Sequence, residues 1–375
     1  MRILADVDTG IDDALALCWL AARPDVHLAA VTTSAGNTTA HQAAVNSAAV
    51  LAACGRPDVE VSPGTPAPLV VSLTTTPETH GAAGLGYAHV PASAALSRRP
   101  FLDVWLDEVR AHPGETTLLV TGPLTNLAVA LRAEPRFPDL LGRVVIMGGA
   151  FDYPGNTTPT AEWNAWVDPD AAAETYRAFE GLPAGRLPIV CSLGVTEPVE
   201  LRPAWLDALA RDVVVPEPRL SSKRDRTRGV PDGGPAGGPA GVPGGGPAWF
   251  DLVADALRFY FEFHADYGYG YVASVHDLCA AMIAADAVPF EALTTWVGVE
   301  TASELTRGTT VRDARHLWGR PANARVVTSV DPDAVLGAFR ADLGRLPRRV
   351  GAAAQRASGP DASGSPAAAA PRAAW

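Results

Sequence analysis

Lysine is almost missing from this chain: its 375 residues contain one, Lys223, set in a Pro/Gly/Arg-rich stretch that does not read as folded. A Walker lysine cradling phosphate and a Schiff-base lysine are therefore set aside, and P-loop and PLP chemistry with them. Cysteine is scarce too. Cys18, Cys54, Cys191 and Cys279 show no C-x-x-C spacing, which speaks against a zinc site or a disulfide frame and for reduced, mostly buried thiols in a cytoplasmic protein. No block of basic residues interleaves with aromatics, and the net charge is −11 with a pI near 5.2. Nucleic acid and an anionic membrane are thus not expected as partners, whereas a small neutral or cationic ligand is. No uninterrupted apolar run reaches the ~20 residues that cross a bilayer. Residues 2 to 8 read as a strand rather than as part of a secretory signal.

What the chain does contain is alternation. Apolar runs at Arg2 to Val7, His27 to Thr33, Thr116 to Thr121, Arg143 to Met147 and Leu187 to Ser192 have the character of strands buried on both faces. Helical spacing occupies Ala14 to Ala22, Ala40 to Ala53, Phe101 to Arg110, Leu124 to Ala133 and Asp170 to Phe179. This order predicts an α/β protein with a mostly parallel, Rossmann-like central sheet flanked by helices, its ligand at the carboxyl ends of the strands. From Pro216 to Pro247 the chain turns low-complexity, as in GVPDGGPAGGPAGVPGGGP. Doubling a loop's length costs only ~0.6 kcal/mol, so this reads as a flexible insertion inside a single domain spanning residues 1–345. Beyond it, Trp249 to Tyr267 and Val275 to Ala284 read as helices, Arg325 to Val330 as a strand and Asp333 to Leu343 as a last helix; residues 346–375 read as a disordered tail.

The first strand runs into DVDTGIDDALAL, residues 6 to 17, with four aspartates in eight positions. A helix cap at Asp8 or Thr9, and acids near the positive helix start, account for about 0.5 to 1 kcal/mol each. Two ionised carboxylates ~4 Å apart repel by about 4 kcal/mol at an effective dielectric of ~20. Capping alone therefore does not explain the cluster, and a positive partner is expected. Oxygen donors with no neighbouring His, Cys or Lys suit a hard divalent cation, Ca²⁺ or Mg²⁺.

Two families share such an opening. DVDTG resembles the D-x-D-x-T start of haloacid-dehalogenase phosphatases, in which the first Asp is a nucleophile and Mg²⁺ a cofactor. The full stretch is more similar to the D-x-D-x-G-x-D-D signature of inosine-uridine-preferring nucleoside hydrolases. Later motifs are similar to that family's in the same order: TTSAGN (32 to 37), VTGPLTNLA (120 to 128), IMGGAF (146 to 151), GNTTPTAEWNAWVDPDAA (155 to 172) and VHDLCAA (275 to 281). The phosphatase alternative also needs a lysine in a folded region, which is absent here.

The resemblance implies hydrolysis of the N-glycosidic bond of a ribonucleoside to free base and ribose, in nucleoside catabolism or salvage. It implies one Ca²⁺ held by the side chains of Asp8, Asp13 and Asp277 and the backbone carbonyl of Thr121, with Asp8 as base toward a water and His276 as candidate acid at the leaving base. Asp12, Asn37, Asn156, Glu162 and Asn164 are implied to hydrogen-bond the sugar. His80, in THGAAGLGY (79 to 87), is implied to lie near the mouth. A homo-oligomer, dimer or tetramer, is a further implication. Departures from the family pattern occur at Thr9, where proline is frequent, at Ala82 and Ala83, where an acid is common, and at Leu278. For the base, Trp163, Trp249, Tyr260, Tyr267, Tyr269 and Tyr271 are stacking candidates, with core packing the leading role for those on helices. The alternative of another class is a ribose- or nucleoside-binding protein without turnover, against which Asp8 and His276 speak. The preferred base is not legible.

Overall fold

The computed structural model describes residues 1–213 and 246–347. Most of the expected insertion and nearly all of the expected tail lie outside these residues. Gly246 and Pro247, placed at the end of that insertion by composition, are described, and Pro247 is the N-cap of the helix Ala248–Asp266.

Twelve strands are described: β1 (Arg2–Val7), β2 (His27–Thr33), β3 (Glu60–Pro63), β4 (Thr116–Val120), β5 (Arg143–Met147), β6 (Ile189–Cys191), β7 (Glu200–Leu201), β8 (Ala273–Ser274), β9 (Phe290–Thr295), β10 (Val297–Val299), β11 (Thr310–Arg312) and β12 (Ala324–Val330). Eight form one sheet in the order β3-β2-β1-β4-β5-β6-β12-β9. Its pairings are parallel except at the edge, where β9 runs against β12. The pairs β7–β8 and β10–β11 make two small antiparallel ribbons. The expected α/β class and parallel sheet are both present. The strands not anticipated are edge or ribbon pieces: β3 is four residues ending in proline, and β9 is mostly part-exposed, so neither carries a long apolar run.

Alternation along β1 distributes the core. Ile3, Ala5 and Val7 pack on one face with helices Ile11–Ala22, Ala248–Asp266 and His276–Ala284, while Leu4 packs on the other with Leu118, Val120, Trp105 and Phe137. Asp6 shares the face of Leu4. Its Oδ1 accepts from Thr32 Oγ1 (2.6 Å) and Asn126 Nδ2 (2.8 Å), so the first aspartate of the motif is engaged within the sheet. All four cysteines are buried and unbridged. Among the described residues no helix is long and apolar enough to cross a membrane.

The strand order reverses direction between β1 and β4, and in open α/β sheets ligands bind in the crevice above such a switch point. Asp8 follows β1 there and Thr121 follows β4. The helix after β1 starts at Ile11, earlier than its apolar spacing shows, because Gly10 is its N-cap and the Gly10 N–H donates to Asp13 Oδ2 (2.9 Å). Neither Asp8 nor Thr9 caps it. A Cβ at Gly10 would stand 2.7 Å from both Asn37 Nδ2 and His80 Nδ1, so close approach demands glycine at this turn.

Candidate active site

Four buried aspartates meet at the switch point. The carboxylates of Asp12, Asp13 and Asp277 each place an oxygen within 4.8 Å of the others, Asp277 arriving from the first turn of the helix His276–Ala284. Asp8 faces the same group through its charge, and its Oδ2 accepts the Asn37 N–H (2.7 Å). Asp13 is the best supported of the four: Thr121 Oγ1 donates to its Oδ1 (2.7 Å), and Gly10 N and Asn37 Nδ2 donate to its Oδ2 (2.9 and 3.3 Å). Burial, followed by mutual repulsion, pushes the Asp8 and Asp277 carboxyls well above the usual carboxylate range and Asp12 up to about 7. Such an arrangement is costly unless positive charge joins it. One atom shows where: Asp8 Oδ1 is buried without a hydrogen-bond partner. Hard oxygen donors around an orphaned carboxylate oxygen suit a divalent cation.

The other expected site residues converge on the same place. Asp12, Asn37, His80, Asn156, Glu162 and Asn164 all line a cavity of about 380 Å³ whose floor includes Thr121 and Asp277. Asn164 Nδ2 donates to the Thr121 carbonyl (2.7 Å) and so orients the oxygen expected to face the cation. Glu162 has more structural work than its sequence context shows: its carboxylate accepts the N–H groups of Gly149 (2.8 Å), Asn164 (2.7 Å) and Ala165 (3.1 Å), capping the helix Trp163–Val167. Of the four or so lone-pair sites on a carboxylate, about one remains for a sugar hydroxyl. Asn156 is exposed at the rim, its Oδ1 accepting from Trp163 N (2.9 Å).

The histidine expected at the leaving base, His276, and the one expected near the mouth, His80, are both held neutral by burial. Burial is what pushes both His80 and His276 down to about 3. His80 Nδ1 accepts the Ile11 N–H (3.1 Å), which leaves Nε2 as its proton-bearing nitrogen. His276 Nδ1 lies 2.9 Å from Thr196 Oγ1, whose hydroxyl also reaches the Ser192 carbonyl at 3.2 Å.

Of the aromatic candidates, Trp163, Tyr260, Tyr267 and Tyr269 line the cavity. Trp249 and Tyr271 do not. Trp249 is fully buried in the core against Phe250, and the part-exposed Tyr271 packs on Phe261 at the core's edge. Tyr260 is helical and nonetheless lines the site, since its helix presents that face to the opening. Sequence reasoning missed His264, Glu197, Glu200 and Thr196: the first three line the cavity and Thr196 orients His276. His264 was detectable only as one more polar residue in the aromatic-rich run YFEFHADYGYGY.

Position and chemistry together define an α/β enzyme for a small polyhydroxylated molecule, bound at the carboxyl edge of a parallel sheet above a nest of acids. The chain belongs to the inosine-uridine preferring nucleoside hydrolase family, whose profile matches residues 3–337. It is 34% identical over 327 residues to the pyrimidine-specific ribonucleoside hydrolase RihA of Shewanella oneidensis, covering 87% of this chain and 90% of that one. It is 32% identical to RihA of Salmonella paratyphi C over 88% of this chain and 94% of that one. Among solved structures, a plant nucleoside hydrolase, the PpNRh1 enzyme, superposes with a TM-score of 0.75 at 26% identity, covering 92% of this chain and 98% of that one. A purine-preferring ribonucleoside hydrolase from Gardnerella vaginalis gives 0.75 at 25% identity with the same coverage. This chain is accordingly a ribonucleoside hydrolase, an N-glycosidase releasing free base and ribose.

Proposed function

We propose that the cation is Ca²⁺, that Asp8, Asp13, Asp277 and the Thr121 carbonyl hold it, and that the substrate is a pyrimidine ribonucleoside. The orphaned, buried Asp8 Oδ1 beside three converging carboxylates carries the metal assignment. The pyrimidine assignment rests on the relatives named pyrimidine-specific, at 32 to 34% identity. When bound, Ca²⁺ supplies positive charge that holds a sugar diol and makes a nearby water more acidic.

The chain's own groups do the rest. Asp8, its Oδ2 held by the Asn37 N–H, takes the proton of the attacking water. Asp12, Asn37, Asn156 and Asn164 hydrogen-bond the ribose, with Glu162 fixing the turn that carries Asn164. The buried carboxylates stabilise the positive charge that develops on the ribosyl ring as the bond to the base breaks, an interaction stronger in the transition state than in the ground state. His276 stands at the leaving base. Because burial keeps its ring neutral near pH 7, it acts as a hydrogen-bond partner of the departing base, fixed by Thr196, and the proton the base takes up is balanced by the one Asp8 removes from the attacking water. The protein works as a single domain of residues 1–345, in the cytoplasm, as a homo-oligomer, in nucleoside catabolism or salvage.

Ribose release from a panel of purine and pyrimidine nucleosides, with and without chelator, tests this for the wild type and Asp8→Ala. Pyrimidine ribonucleosides are expected to lead, with turnover lost on chelation, restored by Ca²⁺ in preference to Mg²⁺, and reduced at least 1000-fold in Asp8→Ala, as for loss of a catalytic base. Binding of uridine with no ribose released would favour the binding-protein alternative.

A further inference from the structure

The upper wall of the cavity contains a third histidine, His264, on the helix Ala248–Asp266. Its Nδ1 lies 2.8 Å from the Tyr260 carbonyl one turn earlier. A carbonyl oxygen can only accept, so Nδ1 carries the proton and the neutral ring keeps Nε2 as a bare acceptor. Burial lowers the affinity of the ring for a second proton, and the bond to the Tyr260 carbonyl, then Glu197 and Glu200, offset this only in part. His80, also beside the Tyr260 ring with centroids 5.6 Å apart, has the opposite tautomer, its Nδ1 accepting and its Nε2 donating. The wall therefore offers one imidazole donor and one imidazole acceptor.

We infer that His264 is a specificity-determining residue whose Nε2 accepts the ring N–H of a lactam base, the N3–H of uracil being the pyrimidine case. The inference deepens the base assignment proposed above and rests on it for the choice of uracil. A lactam presents an N–H between or beside carbonyl oxygens, so it matches an acceptor accompanied by a donor, whereas a base methylated on that nitrogen sets a methyl group against a buried lone pair. Sites that pair a substrate N–H in this way reject the analogue lacking it, because the protein's polar group is left without a partner.

The test compares kcat/KM on uridine and 3-methyluridine for wild type, His264→Phe and His264→Gln, with thermal melts of all three. Wild type should favour uridine at least tenfold. His264→Phe should lose about tenfold on uridine while staying within twofold on 3-methyluridine, and His264→Gln, which keeps an acceptor near the Nε2 position, should recover most of the discrimination. A role in packing the helix alone would lower both substrates together and leave the ratio unchanged; that result overturns the inference, as does a wild type indifferent to the methyl group. Should the wild type cleave no pyrimidine nucleoside, the substrate assignment fails separately, and inosine against 1-methylinosine applies the same criterion to a purine lactam.

Discussion

Replacing Glu162 by Gln separates two roles that its place in the cavity wall allows. The carboxylate is 1% exposed and accepts three backbone N–H groups, two at Oε2 and one at Oε1. Glutamine keeps one acceptor oxygen. In the better of its two orientations that oxygen stays with Gly149 and Ala165, and the new NH₂ faces the Asn164 N–H, leaving a donor against a donor. Losing one charge-assisted bond costs about 1.5 to 3 kcal/mol, and the two that remain weaken to neutral bonds. Burial already holds the Glu162 carboxyl above its usual range, so removing the charge returns part of this, and the net loss comes to about 2 kcal/mol. At about 2 °C per kcal/mol for a chain of this size, the melting temperature should fall by about 4 °C. Asn164, displaced from the Thr121 carbonyl, should also lower kcat/KM on uridine by about tenfold. Calorimetry and ribose release on the same preparation measure both. An unchanged melting temperature with a large loss of activity would refute the capping argument and place the carboxylate's work at the sugar.

Discrimination against 2′-deoxyuridine should be about 10- to 100-fold in kcat/KM, since each polar group left unpaired costs about 1 to 3 kcal/mol; equal rates on uridine and its deoxy analogue contradict the ribose site. Gly10→Ala pushes a methyl group toward Asn37 and His80 and should destabilise by about 1 to 3 kcal/mol, read as a lower urea midpoint with unchanged slope. In chelator, the melting temperature should fall as pH rises from about 4 to 7: the folded chain keeps on Asp12, raised to about 7, a proton that the unfolded chain releases near 3.8, so folding loses support through that window. Added Ca²⁺ should raise the melting temperature more at pH 8 than at pH 5, and metal-free protein that grows more stable across the window would rule this account out.

The sequence carried much of the fold on its own. Strands His27–Thr33 and Arg143–Met147 and the helix Ala40–Ala53 have the bounds their apolar patterns show, because strands buried on both faces and strongly periodic helices write themselves as long local signals. The short β3, the part-exposed β9 and the ribbon strands write no such signal, and they went unread. The acids were legible as a motif, and their number alone demanded a positive partner. Folding decided what each side chain has left to give. Only the parallel pairing of β1 with β4 brings Asp8 beside Thr121 and lets Asp277 approach from a distant helix; only packing shows that Glu162 is spent on backbone N–H groups, that Trp249 is core while Tyr260 faces the cavity, and which nitrogen of His264 is free. A side chain's type is a property of the sequence, but its remaining lone pairs, protons and exposure depend on neighbours supplied from elsewhere in the chain.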